Sequence, residues 1–290
     1  MATTSSVWGR PLADRIAAHA HELTATELRV AEYLDAHGEE VIFATAGGLA
    51  KAIGTSDATV VRTARALGYS GLPELKHEVG QQLVQVNKPA ARLRQRIEHV
   101  GAETGELLDE VFAEGAERLA ETRRLSRAGH VRACIDCLAE ADAVVGYGVG
   151  VSALAADYLA TRLTRIGKPA RAISATGFRL ADELLSLTGG EALVLYAPGR
   201  MLAELEVILE HAHRVGAKVV LVSDALAARI GDRVDHALTA VHSGSGLTGE
   251  CLASVLLTDA LVLGVAARDQ DRATAASDLL TALRGRLGAE

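Results

Sequence analysis

Leu49-Ala-Lys-Ala-Ile-Gly-Thr-Ser-Asp-Ala-Thr-Val-Val-Arg-Thr-Ala-Arg-Ala-Leu-Gly68 decides the reading of the first third of the chain. Leu49 to Ile53 is a short helical run that Gly54 ends. Thr55-Ser56-Asp57 then offers a fresh cap, and Ala58 to Leu67 continues as helix until Gly68. Two short helices joined by a glycine-containing turn are the outline of a helix-turn-helix unit. In the second helix Val60, Ala64 and Leu67 fall three or four apart and form an inner face, with Val61 partly buried. Ser56, Asp57, Thr59, Arg62 and Thr63 are left at its start and on its outer surface.

The flanking sequence supplies the rest of a small helical domain. Leu12 to Leu23 is a short amphipathic helix, and Thr24-Ala-Thr-Glu27 has the form of a capping box. The helix that follows carries Leu28, Ala31, Tyr33 and Leu34 and stops near Gly38. Val41 to Thr45 reads as an apolar turn, and Leu72 to Val86 as a further helix packed behind. An exposed helix start suits a duplex, because its amides meet phosphate while Ser, Thr and Arg side chains reach phosphates or base edges. Arg62 is the first candidate for a base contact, since its fork matches guanine O6 and N7. Ser56 and Thr59 either cap the helix or bind phosphate, and Lys51 and Lys76 are placed to grip the backbone. Physics alone leaves an equal alternative, an ordinary helical bundle with a solvated face.

Asn87-Lys-Pro-Ala90 marks a boundary, and Arg92, Arg94 and Arg96 make the next stretch locally basic, either as a solvated hinge or as an auxiliary phosphate contact. A long amphipathic helix starts near Leu107. Short apolar strands then alternate with helices. The strands are expected at Ala143–Gly146, Pro169–Ile173, Ala192–Tyr196, Ala217–Val222 and His236–Val241. Helices are expected at Ser152–Ile166, Ala181–Leu187, Met201–Val215 and, to close, Gly249–Ala267. This alternation predicts a parallel sheet flanked by helices.

Composition agrees with that architecture. Apolar residues make up 49% of the 290 and aromatics 3%, so the core is built of Ala, Leu and Val. A net charge of −7 argues against broad coating of nucleic acid but not against a small site-specific reader. Cys134, Cys137 and Cys251 form no disulfide framework. The Cys134/Cys137 pair lies in a helical stretch without a second pair of ligands, so packing thiols are expected and no metal. The start of the chain has no basic segment followed by a long apolar run, and no run has transmembrane length; a soluble cytoplasmic chain without a membrane partner is the expectation.

Gly148-Val-Gly-Val-Ser152 follows the first strand and opens a helix, an arrangement that lets the chain turn closely around a ligand and offers amides to an anion. It is not a dinucleotide fingerprint, because Ala153 stands where a third glycine belongs. No cofactor is expected.

Three stretches carry a family resemblance: Leu23-Thr-Ala-Thr-Glu-Leu-Arg-Val-Ala-Glu-Tyr-Leu34, Ser56-Asp-Ala-Thr-Val-Val-Arg62 and Leu67-Gly-Tyr-Ser-Gly-Leu-Pro-Glu-Leu-Lys76. Together they resemble the N-terminal domain of the RpiR/MurR family of bacterial transcription regulators, and the similarity runs over roughly residues 12 to 267. The resemblance implies a winged or extended helix-turn-helix with the Ser56 helix as recognition helix, and a C-terminal SIS (sugar isomerase) domain that binds phosphosugars. On that pattern Gly148, Gly150, Val151 and Ser152 form the first ligand loop. Leu163-Thr-Arg-Ile-Gly-Lys-Pro169 matches a helix-to-strand junction, with Arg165 and Lys168 expected on a surface near a subunit contact. The second SIS loop normally reads Ser-x-Ser-Gly-x-Thr; here it is Tyr196-Ala-Pro-Gly-Arg-Met201. Gly199 is retained, three hydroxyls are lost, Pro198 lacks an amide donor, and Arg200 offers a positive charge. Tyr196 and Met201 make the loop bulkier and more apolar.

The expected architecture is therefore multidomain: an all-α helix-turn-helix domain at 10–86, a linker at 87–106, and an α/β parallel-sheet SIS-like domain for effector binding and dimerisation at 107–283. The expected partners are a double-stranded DNA operator, a small-molecule effector and a second copy of the chain, as homodimer or dimer of dimers. A phosphosugar or related carbohydrate derivative leads as effector. A non-phosphorylated ligand, or a pocket serving only dimerisation, stays open. So does a sugar-phosphate isomerase, since Glu204, Glu210, His211 and His213 follow the second loop; their spacing mixes helix faces, and no catalytic residue is assigned.

Overall fold

In the computed structural model, the described residues are 12–86, Ile97, 104–197, 201–224, 226–242 and 251–288. Those up to Glu117 form one compact unit and those from Arg118 onward a second. Most of the expected linker at 87–106, with Arg92, Arg94 and Arg96, lies outside the described residues, as do Gly199, Arg200 and Glu250.

Unit 1 is helical. It contains α1 (Leu12–His19), α2 (Ala25–Ala36), α3 (Gly38–Phe43), α4 (Ala46–Ile53), α5 (Asp57–Ala66) and α6 (Leu72–Val86). The division between the units falls within α7 (Thr104–Leu125). Local chemistry sets these boundaries. The capping box at the start of α2 is present, with the Glu27 amide donating to the Thr24 hydroxyl and the Thr24 amide donating to Glu27. Thr45 and Ser56 cap α4 and α5 by accepting the amides of Gly48 and Thr59. Gly54 ends α4 in the left-handed region (φ 75°), where a side chain is strained, and so makes the turn between the two helices. Of the stretch at 41–45, expected as a turn, Val41 to Phe43 end α3 and Ala44-Thr45 lead into the cap of α4: the Val41 amide donates to the His37 carbonyl, and Val41 and Ile42 are both buried. The core joins Val30 and Leu34 of α2, Leu49 of α4, Val60 and Ala64 of α5, and Leu72 and Leu75 of α6.

Unit 2 is a five-stranded sheet in the order β2-β1-β3-β4-β5. The strands are β1 (Ala143–Gly148), β2 (Ala170–Ile173), β3 (Glu191–Tyr196), β4 (Lys218–Ser223) and β5 (His236–Thr239), and every pairing is parallel. The helices are α8 (Ala128–Glu140), α9 (Ser152–Arg165), α10 (Gly177–Leu184), α11 (Ala203–Val215), α12 (Ala227–Ile230), α13 (Leu252–Arg268) and α14 (Gln270–Arg286). Alternate strand residues divide between two cores. Val144, Val194 and Val220 pack with α8, α9 and α13, while Val145, Leu193, Leu195 and Leu221 pack with α10 and α11. A sheet buried on both faces explains why its strands read as unbroken apolar runs.

Among the departures from expectation are α10, α14 and the short α12, for which no helix was expected. α10 spans Gly177–Leu184, a turn ahead of the expected 181–187, so that Leu180 and Leu184 share the buried side. α14 follows α13 after Asp269, which caps it by accepting the Arg272 amide; it buries no residue and so offered no inner stripe to read.

Tyr196 ends β3 wholly within the α8/α9/α13 core, its hydroxyl 2.6 Å from that of Thr258. Thr258 in turn donates to the Ser254 carbonyl, so the phenol is the donor of the pair. Tyr196→Phe is expected to lower the stability of unit 2 by about 1 kcal/mol, because a buried acceptor loses its partner. Urea unfolding measures this; an unchanged midpoint would contradict the buried pair.

Candidate nucleic-acid interface and ligand loops

Helix α5 turns its apolar side into unit 1 and its first turn outward. Val60, Ala64 and Leu67 are buried, while Ser56, Asp57 and Ala58 are exposed within the unit. The Ser56 hydroxyl accepts the Thr59 amide and lies 2.9 Å from the Thr59 hydroxyl, so both groups are drawn into the cap. Asp57 places a carboxylate on the first turn, where it complements the helix dipole. Lys51 is exposed on the last turn of α4, next to the start of α5. Lys51, Ser56, Asp57, Thr59 and Arg62 are thus gathered around one helix-turn-helix face.

Two expected members do not belong there. Thr63 is wholly buried and donates its hydroxyl to the Thr59 carbonyl one turn back, so it faces the core rather than a duplex. Lys76 is buried as well, its Nζ 3.9 Å from the Glu117 carboxylate, which compensates a charge removed from water. Glu117 also accepts the Ala46 amide at 2.7 Å at the start of α4. Burial pushes its carboxyl above the usual range, against the pull of Lys76.

Arg62 is an exposed cation of α5 anchored by a carboxylate. Its side chain is 63% exposed, yet its Nε donates to Oε1 of Glu27 at 2.8 Å. Glu27 itself is buried and takes the Thr24 amide and hydroxyl on its other oxygen. Sequence spacing could mark Glu27 as a capping residue but not as the clamp of an arginine 35 residues on. The Arg62 hydrogen bond, aided by those from Thr24, holds the Glu27 carboxyl down at about 2 from the usual 4.5.

In unit 2 the two expected ligand loops leave neighbouring strands. Gly148 of β1 and Tyr196 of β3 are register partners, so the chain emerges from both side by side. This is also where the strand order reverses direction, the place where open α/β sheets bind ligands. Gly148 is required by close approach: a Cβ there would run into the Ser152 carbonyl. Gly150 has φ 62° and is exposed, as is Val151. Ser152 begins α9 half-buried. The amides of Ser152, Ala153 and Leu154 donate to carbonyls three residues back, at 3.1–3.3 Å. Among the described residues, no backbone carbonyl accepts from Gly150 or Val151.

Several expected placements are revised. Tyr196 does not enter the loop region, because its ring and hydroxyl are consumed in the core with Thr258. Met201 packs against the α10/α11 core and is half-buried. Lys168 is buried rather than on the surface; its ammonium donates to the Ala139 and Ala141 carbonyls at the end of α8, and burial draws its pKa down. Arg165 is exposed. Cys134 is buried and its thiol is pushed up to about 12 by burial. Among the described residues no three His, Cys, Asp or Glu are grouped to hold a metal, and no helix is long and apolar enough to cross a membrane. Tyr147, which sequence reasoning missed, lies one residue before the end of β1 with its hydroxyl 3.5 Å from the Ala175 carbonyl, and burial and Glu204 raise its phenol to about 12.

Two family models match the chain. Residues 11–86 match the helix-turn-helix domain of the rpiR family, and residues 137–264 match the SIS domain. The uncharacterized HTH-type transcriptional regulator YfhH of Escherichia coli (strain K12) is 25% identical over 257 residues, which cover 87% of this chain and 90% of that one. Among solved structures, the fold resembles the Vibrio vulnificus NanR protein complexed with ManNAc-6P, with TM-score 0.59 and 22% identity over 97% of this chain and all of that one. It also resembles the sugar isomerase domain of the RpiR transcription factor from Sphaerobacter thermophilus, with TM-score 0.57 and 23% identity over 61% of this chain and 98% of that one.

A carboxylate whose folded pKa is depressed stabilises the fold above its unfolded pKa and loses that contribution as pH falls towards the folded value. For Glu27 the window therefore runs from about 4.5 down to about 2. The stability lost in Glu27→Gln, read by urea unfolding, should be largest above about pH 5 and shrink as the medium is acidified. A loss independent of pH would show that the ionised carboxylate is not what holds Arg62 and Thr24.

Proposed function

We propose that the chain, a helix-turn-helix domain of the rpiR type followed by a SIS domain, is a DNA-binding transcription regulator in which a small metabolite bound by the second domain controls operator affinity in the first. The observation that carries the DNA half is the outward first turn of α5 with Arg62 anchored beside it. Glu27 occupies Nε and leaves the two terminal nitrogens of the guanidinium for a base edge, a pre-oriented fork suited to guanine O6 and N7. Lys51 serves the phosphates, beside the Ser56 and Thr59 hydroxyls that hold the cap. Two copies of the chain associate through their C-terminal domains and present two such helices to an operator of two-fold character.

The effector site lies where the β1 and β3 loops emerge together, with Gly148, Gly150, Val151 and Ser152 on one side and Gly199, Arg200 and Met201, partly outside the described residues, on the other. The amides of Gly150 and Val151 and the Ser152 hydroxyl suit a phosphosugar or related carbohydrate derivative. The structural likeness to a NanR protein holding ManNAc-6P favours the same ligand class. A specific observation supports a second reading, a non-phosphorylated ligand: the β3 loop begins Ala197-Pro198 without hydroxyls, and the first-turn amides of α9 are already spent. Either ligand acts by binding one arrangement of the recognition helices better than another.

Arg62→Ala is expected to weaken binding to a preferred duplex by about 1–3 kcal/mol and to relax discrimination at one base pair, with the oligomer unchanged. Equal loss on matched and mismatched duplexes would remove Arg62 from base readout. Calorimetry with phosphosugars beside neutral sugars tests the effector site, and Ser152→Ala should weaken a phosphosugar about tenfold through one lost charge-assisted hydrogen bond. Binding of a neutral compound with failure of every phosphosugar would decide for the second reading.

A further inference from the structure

We propose that unit 2 holds a second small-molecule site, apart from the β1/β3 loops, for a free amphipathic monocarboxylate: a medium-chain acyl or aryl body with a single anionic head. The site is a cavity of about 460 Å³ between the end of α7, α8 and α13. That size lies in the range of ligand pockets. It shares no lining residue with the loops after β1 and β3.

Its walls are apolar in practice. Leu119, Val131, Ile135, Ala253, Leu257 and Ala260 supply hydrocarbon. The two hydroxyls on the lining are already committed, since Thr122 accepts the Val241 amide at 3.0 Å and Ser126 donates to the Thr122 carbonyl at 2.7 Å. A sugar would therefore set most of its hydroxyls against hydrocarbon, with polar partners only at the arginines of the rim, which is unfavourable.

The charged part of the lining has one sign. Arg123, Arg132 and Arg268 face the cavity and no carboxylate lines it. Arg268 is neutralised by Asp136, its Nε 2.7 Å from the carboxylate. Arg123 has the Ser126 carbonyl at 3.5 Å, and Arg132 is exposed with no described carboxylate paired to it. Two uncompensated guanidiniums beside a hydrocarbon-lined space complement a ligand with an apolar body and one anion. A short acid such as acetate lacks the body, and a neutral alcohol lacks the head. A second copy of the chain covering the exposed Leu256 at the same rim is the competing occupant.

Calorimetry on the full chain separates these cases, using monomeric decanoate, decanol and acetate. Decanoate should bind once per chain, decanol about tenfold more weakly for want of the charge-assisted contact, and acetate not measurably. Ala260→Trp, which fills the cavity, should abolish decanoate binding. Arg132→Gln, a change at an exposed position that leaves the core intact, should weaken it about tenfold. Equal affinity for decanoate and decanol, no decanoate binding, or binding unchanged by Ala260→Trp would each overturn the proposal. So would sedimentation in which Ala260→Trp dissociates an assembly that decanoate leaves intact, because the cavity is then an interface between copies. None of these outcomes bears on the phosphosugar titration at the β1/β3 loops, so the two sites stand or fall separately.

Discussion

The carboxylate of Glu27 receives the Thr24 amide and hydroxyl on one oxygen and the Nε of Arg62 on the other. It thereby closes the start of α2 and ties that helix to the outer side of α5. A buried carboxylate is tolerable only when both oxygens are satisfied, and here they are. The consequence for function is orientation. An arginine free to rotate would lose side-chain entropy on reaching a base edge. One held at Nε has already lost part of it, and its terminal nitrogens keep a fixed direction.

In unit 2 the controlling constraint is burial of a parallel sheet on both faces. Every strand joins its neighbour in parallel, so each connection crosses over through a helix, and the loops leaving the strands collect at their C-terminal ends. The order β2-β1-β3 sends one crossover each way from the centre, so the chain leaves Gly148 and Tyr196 side by side where the order reverses. The place of the proposed effector site follows from topology before any ligand group is considered. What the loops then contain decides the chemistry, and the β3 loop of this chain contains few donors.

Much of this was legible in the residues. Thr24 to Glu27, Gly54 and Ser56 are local signals, and local signals survive folding unchanged: cap, turn and cap appear where the sequence puts them. The apolar strand runs were equally plain. What failed was any inference about direction at positions whose side chain suits either face. Thr63 lies one turn after Thr59, and a threonine that returns its hydroxyl to a carbonyl four residues back needs no solvent. Lys76 and Lys168 looked like surface cations because lysine usually is one; each is buried because an acceptor far off in sequence, Glu117 or the end of α8, awaits its ammonium. Tyr196 looked like an obstruction in the loop, and its partner Thr258 is 62 residues away. Thr63 aside, these revisions are polar pairings distant in sequence, which periodicity cannot register.

The central claim is that this chain reads a defined DNA sequence through a pair of α5 helices. The most direct measurement is selection of bound duplexes from a random library by the full-length protein. The account predicts enrichment of two half-sites related by two-fold symmetry, with centres about 10 base pairs or a multiple apart. Recovery of duplexes with no sequence in common would contradict it.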